Sequence, residues 1–215
     1  MAIHADEGRA PEGKGAQTRR AILEAAIVRF GRDGYRATSV AHIARDAGVG
    51  PTLAYAYFPN KEALFLAAVD EDAARVMGEG LVGSMGWNDV ADWRQLLLVT
   101  LIGALDDHPL ARRLLAGLEP EVTARVLEIP ALAELRKVCA ERLAADQLSG
   151  RVRPDIDPVT MANGVVAVVL SLLMSVVQLG ADTVAHYGSD VVALFEAALE
   201  APPTLRARGT GPSAG

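Results

Sequence analysis

The chain predicts an all-α fold, and three observations carry that prediction. Apolar residues recur at three- and four-residue spacing along most of its 215 positions, the period that lays one stripe along a helix. No strand-like alternation and no long β-branched run interrupts them. Residues of the apolar class make up 51% of the chain but aromatics only 5%, so the core must be built from Ala, Leu and Val. The length allows one large or two modest domains and a sizeable core.

Residues 1–16, rich in Gly, charge and small side chains, read as a flexible arm. The first helix is expected from Gln17, with Ile22, Leu23, Ala26, Ile27 and Phe30 as its stripe and Gly34 as its end. Arg19 and Arg20 then fall in its first turn, where the helix dipole disfavours cations. Either a phosphate lies nearby or the two are simply solvated.

The chain is organised around residues 38–61, T-S-V-A-H-I-A-R-D-A-G-V-G-P-T-L-A-Y-A-Y-F-P-N-K. Val40, Ile43, Ala44 and Ala47 form one helical stripe, and Thr38 or Ser39 stands ahead of it as a cap. Gly48 supplies the turn, and Pro51 suits the first position of the next helix, where its missing N–H is no loss. Helix, short turn, helix is the plan of a DNA-binding helix-turn-helix. In the second helix Ala54 and Phe58 face inward, which leaves Pro51, Thr52, Leu53, Tyr55 and Ala56 outside or at the margin. A slim, nearly uncharged face of hydroxyls and methyls fits a major groove. Packing against another domain is the competing reading.

G-V-G-P-T-L-A-Y-A-Y-F-P-N-K-E-A-L, residues 48–64, resembles the signature of the tetracycline-repressor (TetR) family of transcriptional regulators. A-T-S-V-A-H-I-A-R-D-A-G, residues 37–48, is similar to the family's second helix, and Q-T-R-R-A-I-L-E-A-A-I-V-R-F-G-R-D-G-Y, residues 17–35, to its first. The resemblance implies a three-helix DNA-binding domain on a larger all-helical domain for effector binding and dimerisation. It places phosphate contacts at Thr38 or Ser39, Tyr55, Tyr57 and Lys61, and base contacts at Pro51, Thr52 and Leu53, with His42 as a frequent extra. Gly50-Pro51, Leu53 and Ala41 depart from the residues common in the family, which removes polar base contacts and leaves the operator sequence open. The implied division is 1–16 arm, 17–63 helix-turn-helix domain, 64–205 effector-binding and dimerisation domain, and 206–215 disordered tail.

The formal charge of −6 is unevenly spread. Residues 1–62 hold nine Lys and Arg against seven Asp and Glu; subtracted from totals of 21 and 27, this leaves 12 and 20 downstream. A mildly basic first third suits a protein that presents one end to DNA. Lys61 follows Asn60, a good N-cap, so its ammonium lies at the positive end of a helix dipole, a position that a phosphate would compensate.

That helix is expected to run through Leu64, Phe65, Ala68, Val69 and Val76 to about Met77. Residues 78–89 break the periodicity and read as a loop. Gly78-Glu-Gly80-Leu-Val-Gly83 satisfies G-x-G-x-x-G literally, but a helix precedes it where a nucleotide fingerprint needs a strand. Further helices are expected at Val90–Asp107, at Pro109 to about Leu118, and at Pro120–Leu148 with an interruption near Pro130. Gly150–Pro158 reads as a loop, with Asp157-Pro158 opening the next helix.

Residues 161–179 are apolar all round and long enough to cross a membrane, but Asn163, Gly164, Ser171, Ser175 and Gln178 dilute them and no basic cluster or aromatic belt flanks them. Such a helix must be buried all round, one face in its own core and the other against a partner. With Ser189–Glu200 it would supply half of an intersubunit four-helix bundle, so the expected homodimer contact is helices 158–179 and 189–200. A dimer is also what a palindromic, two-half-site operator on double-stranded DNA requires.

Catalysis finds no support: Asp106-Asp107-His108 are adjacent helical positions that diverge, His4, His42, His108 and His186 are scattered, and no G-x-S-x-G occurs. Neither a metal site nor a cofactor is expected. Cys139 excludes an intramolecular disulfide and reads as core rather than redox sensor. With no apolar leader at the N-terminus, the expected location is cytoplasmic. Trp93, Thr100, Met161 and Asn163 are candidate contacts for a small apolar effector, by helical face alone. The expected function is a homodimeric, ligand-responsive transcriptional regulator, a repressor released from its operator by that effector. The rivals are a helical small-molecule carrier that does not touch DNA, and a helical enzyme.

Overall fold

The computed structural model describes residues 13–85, 93–120 and 128–200. Among these, nine helices account for nearly all regular structure: α1 Lys14–Ala37, α2 Val40–Asp46, α3 Pro51–Tyr57, α4 Lys61–Met85, α5 Trp93–Ala104, α6 Pro109–Leu115, α7 Pro130–Leu148, α8 Pro158–Leu179 and α9 Ala181–Leu199. The one β feature in the described residues is a bridge pairing Val152 with Glu200. The chain divides into two compact units, Met1–Glu71 and Asp72–Gly215. The division falls within α4, eight residues past the boundary expected after residue 63.

In the first unit α1 buries Ile22, Leu23, Ala26, Ile27 and Phe30, the stripe its spacing predicts. The helix starts at Lys14, three residues ahead of the expected Gln17, so Arg19 and Arg20 lie in the second turn, where the dipole penalty has faded. Gly34 breaks the helix, at φ 80° and ψ 170°, before a last turn to Ala37. Phe30 meets Phe65 of α4 edge to face at 4.9 Å, and Tyr35 lies against both rings. Arg29 ties α1 to α2 through Asp46 at 2.5 Å and reaches Asp33 at 3.5 Å. The rest of the arm expected over residues 1–16 lies outside the described residues, as does the tail expected over 206–215.

In the second unit α8 is the central element and packs against α5, α6, α7 and α9. It is long and apolar enough to cross a membrane by length and composition, yet Ala162, Val165, Val166, Val169, Leu170 and Leu173 are buried within this unit. Asp157 caps it, accepting from the Thr160 N–H at 2.8 Å and hydroxyl at 2.6 Å, and Pro158 takes the first position.

Two expectations change and one holds. The loop read over 78–89 is helical as far as Met85, because α4 runs on through Gly78 and Gly80. Close approach of α5 explains Gly80: a Cβ there would lie 2.5 Å from Leu101 Cδ2, and the Thr100 hydroxyl donates to the Gly80 carbonyl at 3.1 Å. Near Pro130 the chain does break as expected: Ile129 is outside any helix and Pro130 opens α7, with residues 121–127 outside the described set. Finally, α9 starts at Ala181, after Gly180 turns the chain at φ 94°, and not at Ser189.

Candidate nucleic-acid interface

The turn between α2 and α3 is built as its residues require. Gly48 sits at φ 70°, and the Val49 N–H returns to the Ala44 carbonyl at 2.9 Å, which closes the end of α2. Gly50 is the N-cap of α3 and Pro51 its first residue. Ala54 is wholly buried and Phe58 nearly so, which anchors one side of α3 to the unit's core. The opposite side is open: Pro51, Thr52, Leu53, Tyr55 and Ala56 are exposed, Leu53 at 44% and Tyr55 at 50%. His42 of α2 is exposed as well. An apolar Leu and a phenol held in water on a short, anchored helix are an arrangement that contact with another surface rewards.

The remaining candidates at this surface are held differently. Ser39 is the N-cap of α2, its hydroxyl accepting from the His42 N–H at 3.3 Å. Thr38, by contrast, is buried, and its hydroxyl donates to the Gly34 carbonyl at 2.8 Å. Of the two alternatives the structure therefore leaves Ser39 half-exposed and turns Thr38 inward. Tyr57 is half-buried, its hydroxyl close to Gly15 at the start of α1, where an added Cβ would lie 3.3 Å away. Asn60 caps α4 by accepting from the Ala63 N–H at 2.7 Å. The Lys61 ammonium lies 4.3 Å from the centre of the Tyr35 ring and 3.4 Å from the Arg36 carbonyl, at the C-terminal end of α1. Its charge is thus held by a π face and a carbonyl despite its position at a helix start. Arg19 stacks over Phe58 at 5.3 Å, and Arg20 pairs with Glu24 at 3.1 Å.

The four effector candidates do not converge. Trp93 is buried and donates through Nε1 to Asp146 Oδ2 at 3.1 Å, so its polar handle is already engaged. The Thr100 hydroxyl is bonded to backbone carbonyls, Met161 is half-buried and Asn163 is exposed. None of them lines the apolar cavity in the second unit. That cavity is walled by Ala73, Val76 and Met77 of α4, Leu105, Ala111, Leu114 and Leu115 at and near α6, Ile129 and Leu132 by α7, and Leu170 and Leu173 of α8. Its free volume is only about 40 Å³, whereas ligand pockets typically run to several hundred. The expected apolar lining is present, but closed around little more than the room of one water.

Sequence reading passed over the polar cluster beside this cavity. Asp72 is buried, its Oδ1 2.7 Å from His108 Nδ1 and its Oδ2 accepting from the Ala111 N–H at 2.8 Å. His108 Nε2 stands 3.2 Å from Glu79 Oε1. Burial pulls the imidazole pKa down, but the hydrogen bonds to Asp72 and Glu79 and their charges outweigh it and hold it above the ordinary 6.5. The signal was available: Asp72 continues the Leu64, Ala68 spacing on the inward face of α4. Cys139 is buried, and that burial pushes its thiol up to about 12, which leaves no reactive thiolate near neutral pH. Among the described residues no cluster of three or more His, Cys, Asp or Glu could hold a metal ion.

Comparison with known proteins places these features. Residues 22–68 match the model of "Bacterial regulatory proteins, tetR family". An HTH-type transcriptional regulator of Bacillus subtilis, YdgC, is 28% identical over 188 residues, 86% of this chain and 93% of that protein. The HTH-type transcriptional repressor AcnR of Corynebacterium jeikeium is 27% identical over 198 residues, 84% of this chain and 91% of its own length. Among solved structures, a TetR-family transcriptional regulator from Cytophaga hutchinsonii superposes with a TM-score of 0.68 at 19% identity, over 89% of this chain and 99% of that one, a likeness of fold. These relatives are regulators rather than enzymes. Taken with the anchored α3 and its open outer face, the match gives residues 22–68 the DNA-binding region of the tetR family, and along most of its length the chain is similar to transcriptional regulators.

Proposed function

We propose that the protein is a homodimeric repressor that leaves a palindromic operator when a small apolar molecule enters its second unit, and that it acts in the cytoplasm. The observation that carries the DNA part is the exposed side of α3, with Leu53 and Tyr55 in water on a helix fixed by Ala54 and Phe58. Pro51, Thr52, Leu53 and His42 are assigned to bases, and Ser39, Tyr55, Tyr57 and Lys61 to phosphates. Thr38 serves this surface from beneath, by fixing the end of α1 against the start of α2.

The dimer reading rests on apolar surface that one chain leaves uncovered. Val159 and Leu179 of α8 and Leu194 of α9 are each more than half exposed. An open groove of about 570 Å³ lies between the same helices and α5, lined by Leu98 and Val99 of α5, Leu172 and Val176 of α8, and Val192 and Phe195 of α9. A second copy covering this face brings two α3 helices to one duplex. The repressor sense is supported by AcnR, a repressor similar along most of its length. Effector control follows the family, whose members bind small molecules. In this chain the all-apolar cavity is the place for it, through a ligand that favours an expanded state of low population.

The test is a gel shift on intergenic DNA beside the gene. Salt-sensitive binding lost in a Tyr55→Phe, Lys61→Ala double variant that still folds, and released by an apolar compound from a screen, supports the reading. Binding indifferent to both substitutions rejects the assignment of α3. The carrier reading predicts no retention of DNA at any salt concentration.

A further inference from the structure

The cluster of buried Asp72 and His108 with exposed Glu79 is absorbed by neither DNA contact nor dimer, and it shares its helices with the cavity. Asp72 and Glu79 stand seven residues apart on α4, and Ala73, Val76 and Met77 on the same two turns form the cavity wall. His108 is the N-cap residue of α6, whose Ala111, Leu114 and Leu115 form the facing wall. The cluster therefore cross-links the two walls through three contacts: His108 to Asp72, His108 to Glu79, and the Ala111 N–H to Asp72.

The proton count of the ring decides how many of these contacts hold. A neutral imidazole carries one N–H and can donate to only one carboxylate, whereas an imidazolium donates from both nitrogens. Asp72 is enclosed and has no water to turn to, so the neutral ring keeps its Nδ1–H toward Asp72. Its Nε2 lone pair then faces the Glu79 carboxylate, whose side chain is 56% exposed and free to move into solvent. Among the described residues Asp72 and Glu79 are the titratable groups that face the ring; Asp106 on its own segment pairs with Arg112 at 3.0 Å instead.

We infer that a proton on His108 locks α6 to α4 and holds the effector cavity shut, so that entry of an effector is linked to release of that proton. This linkage rests on the cavity being the effector site. It makes the regulator more readily induced in alkaline than in mildly acidic conditions. The bonds to both carboxylates stabilise the charged ring, so the three-contact lock is complete below the ordinary histidine pKa and loses its Glu79 contact as pH rises through the higher folded-state value.

The test uses the full chain, wild type and with Glu79→Gln or His108→Gln, and the apolar fluorophore N-phenyl-1-naphthylamine. Its affinity is measured near pH 6 and near pH 8, beside corrected amide exchange at Ala111 and the His108 titration by NMR. The expected result is fluorophore affinity about fivefold higher at the alkaline end, a ratio reduced in Glu79→Gln and absent in His108→Gln. Equal affinity at both ends in the wild type overturns the inference. Should the fluorophore bind at neither, Ala111 exchange decides: protection that falls as His108 titrates upholds the lock and rejects the cavity as effector site, and protection indifferent to the titration overturns the lock.

Discussion

At the scale of single residues, partners rather than residue type decide what each side chain does. Ser39 and Thr38 carry the same hydroxyl, yet one stands at the surface as a cap and the other is buried on the Gly34 carbonyl. Lys61→Ala is expected to reduce the slope of log affinity against log salt by about 1, as loss of one phosphate contact does. An unchanged slope assigns the ammonium wholly to Tyr35 and the end of α1. Arg29 gives a pH prediction. Its hydrogen bond, more than burial or charge, holds Asp46 below the usual carboxylate range, so the pairing stabilises above the ordinary pKa of Asp and fades as pH falls through the lowered value. Arg29→Met should lower Tm at neutral pH, with a gap from wild type that closes on acidification toward the carboxylate range. The two sides of α3 were legible because spacing alone puts Ala54 and Phe58 inward and Leu53 and Tyr55 outward; their assignment to DNA came from the resemblance. Asp72 could be placed on the inward face of α4 by the same spacing, but its pairing with His108 could not, since the partners lie 36 residues apart.

Helix ends were read well where the chemistry is local, and poorly where packing overrides it. Gly34, Gly48, Asn60 and Asp157 all sit where capping rules put them. Gly78 and Gly80 looked like a break because each glycine costs a helix up to about 1 kcal/mol, a deficit that close packing of Gly80 against α5 helps to offset. The two positions separate cleanly by substitution. Gly78 is exposed with open space around a Cβ, so Gly78→Ala should stabilise by about 0.5–1 kcal/mol. Gly80→Ala presses into Leu101 and should instead destabilise by about 1–3 kcal/mol, both read from urea unfolding. In the first unit Phe65→Ala removes the ring that meets Phe30 and Tyr35, with an expected loss of about 3–5 kcal/mol. DNA binding should disappear with it, because α3 has no other core to stand on.

For the whole molecule, the all-α class and a DNA-binding first unit could be read from periodicity, turn chemistry and charge distribution. The apolar cavity could not, because its walls come from α4, α6, α7 and α8 and meet only in the folded unit. Uncovered apolar surface on α8 and α9 is what supports the proposed self-association. Leu194→Glu should shift sedimentation from dimer toward monomer and weaken operator binding without altering helix content. The measurement that bears most directly on the central claim is footprinting of the full chain on the intergenic DNA beside its gene. Two protected half-sites about 34–36 Å apart, both lost on Leu53→Glu in a folded protein, are the predicted result. Protection that survives Leu53→Glu, or no protected site at low salt, contradicts it.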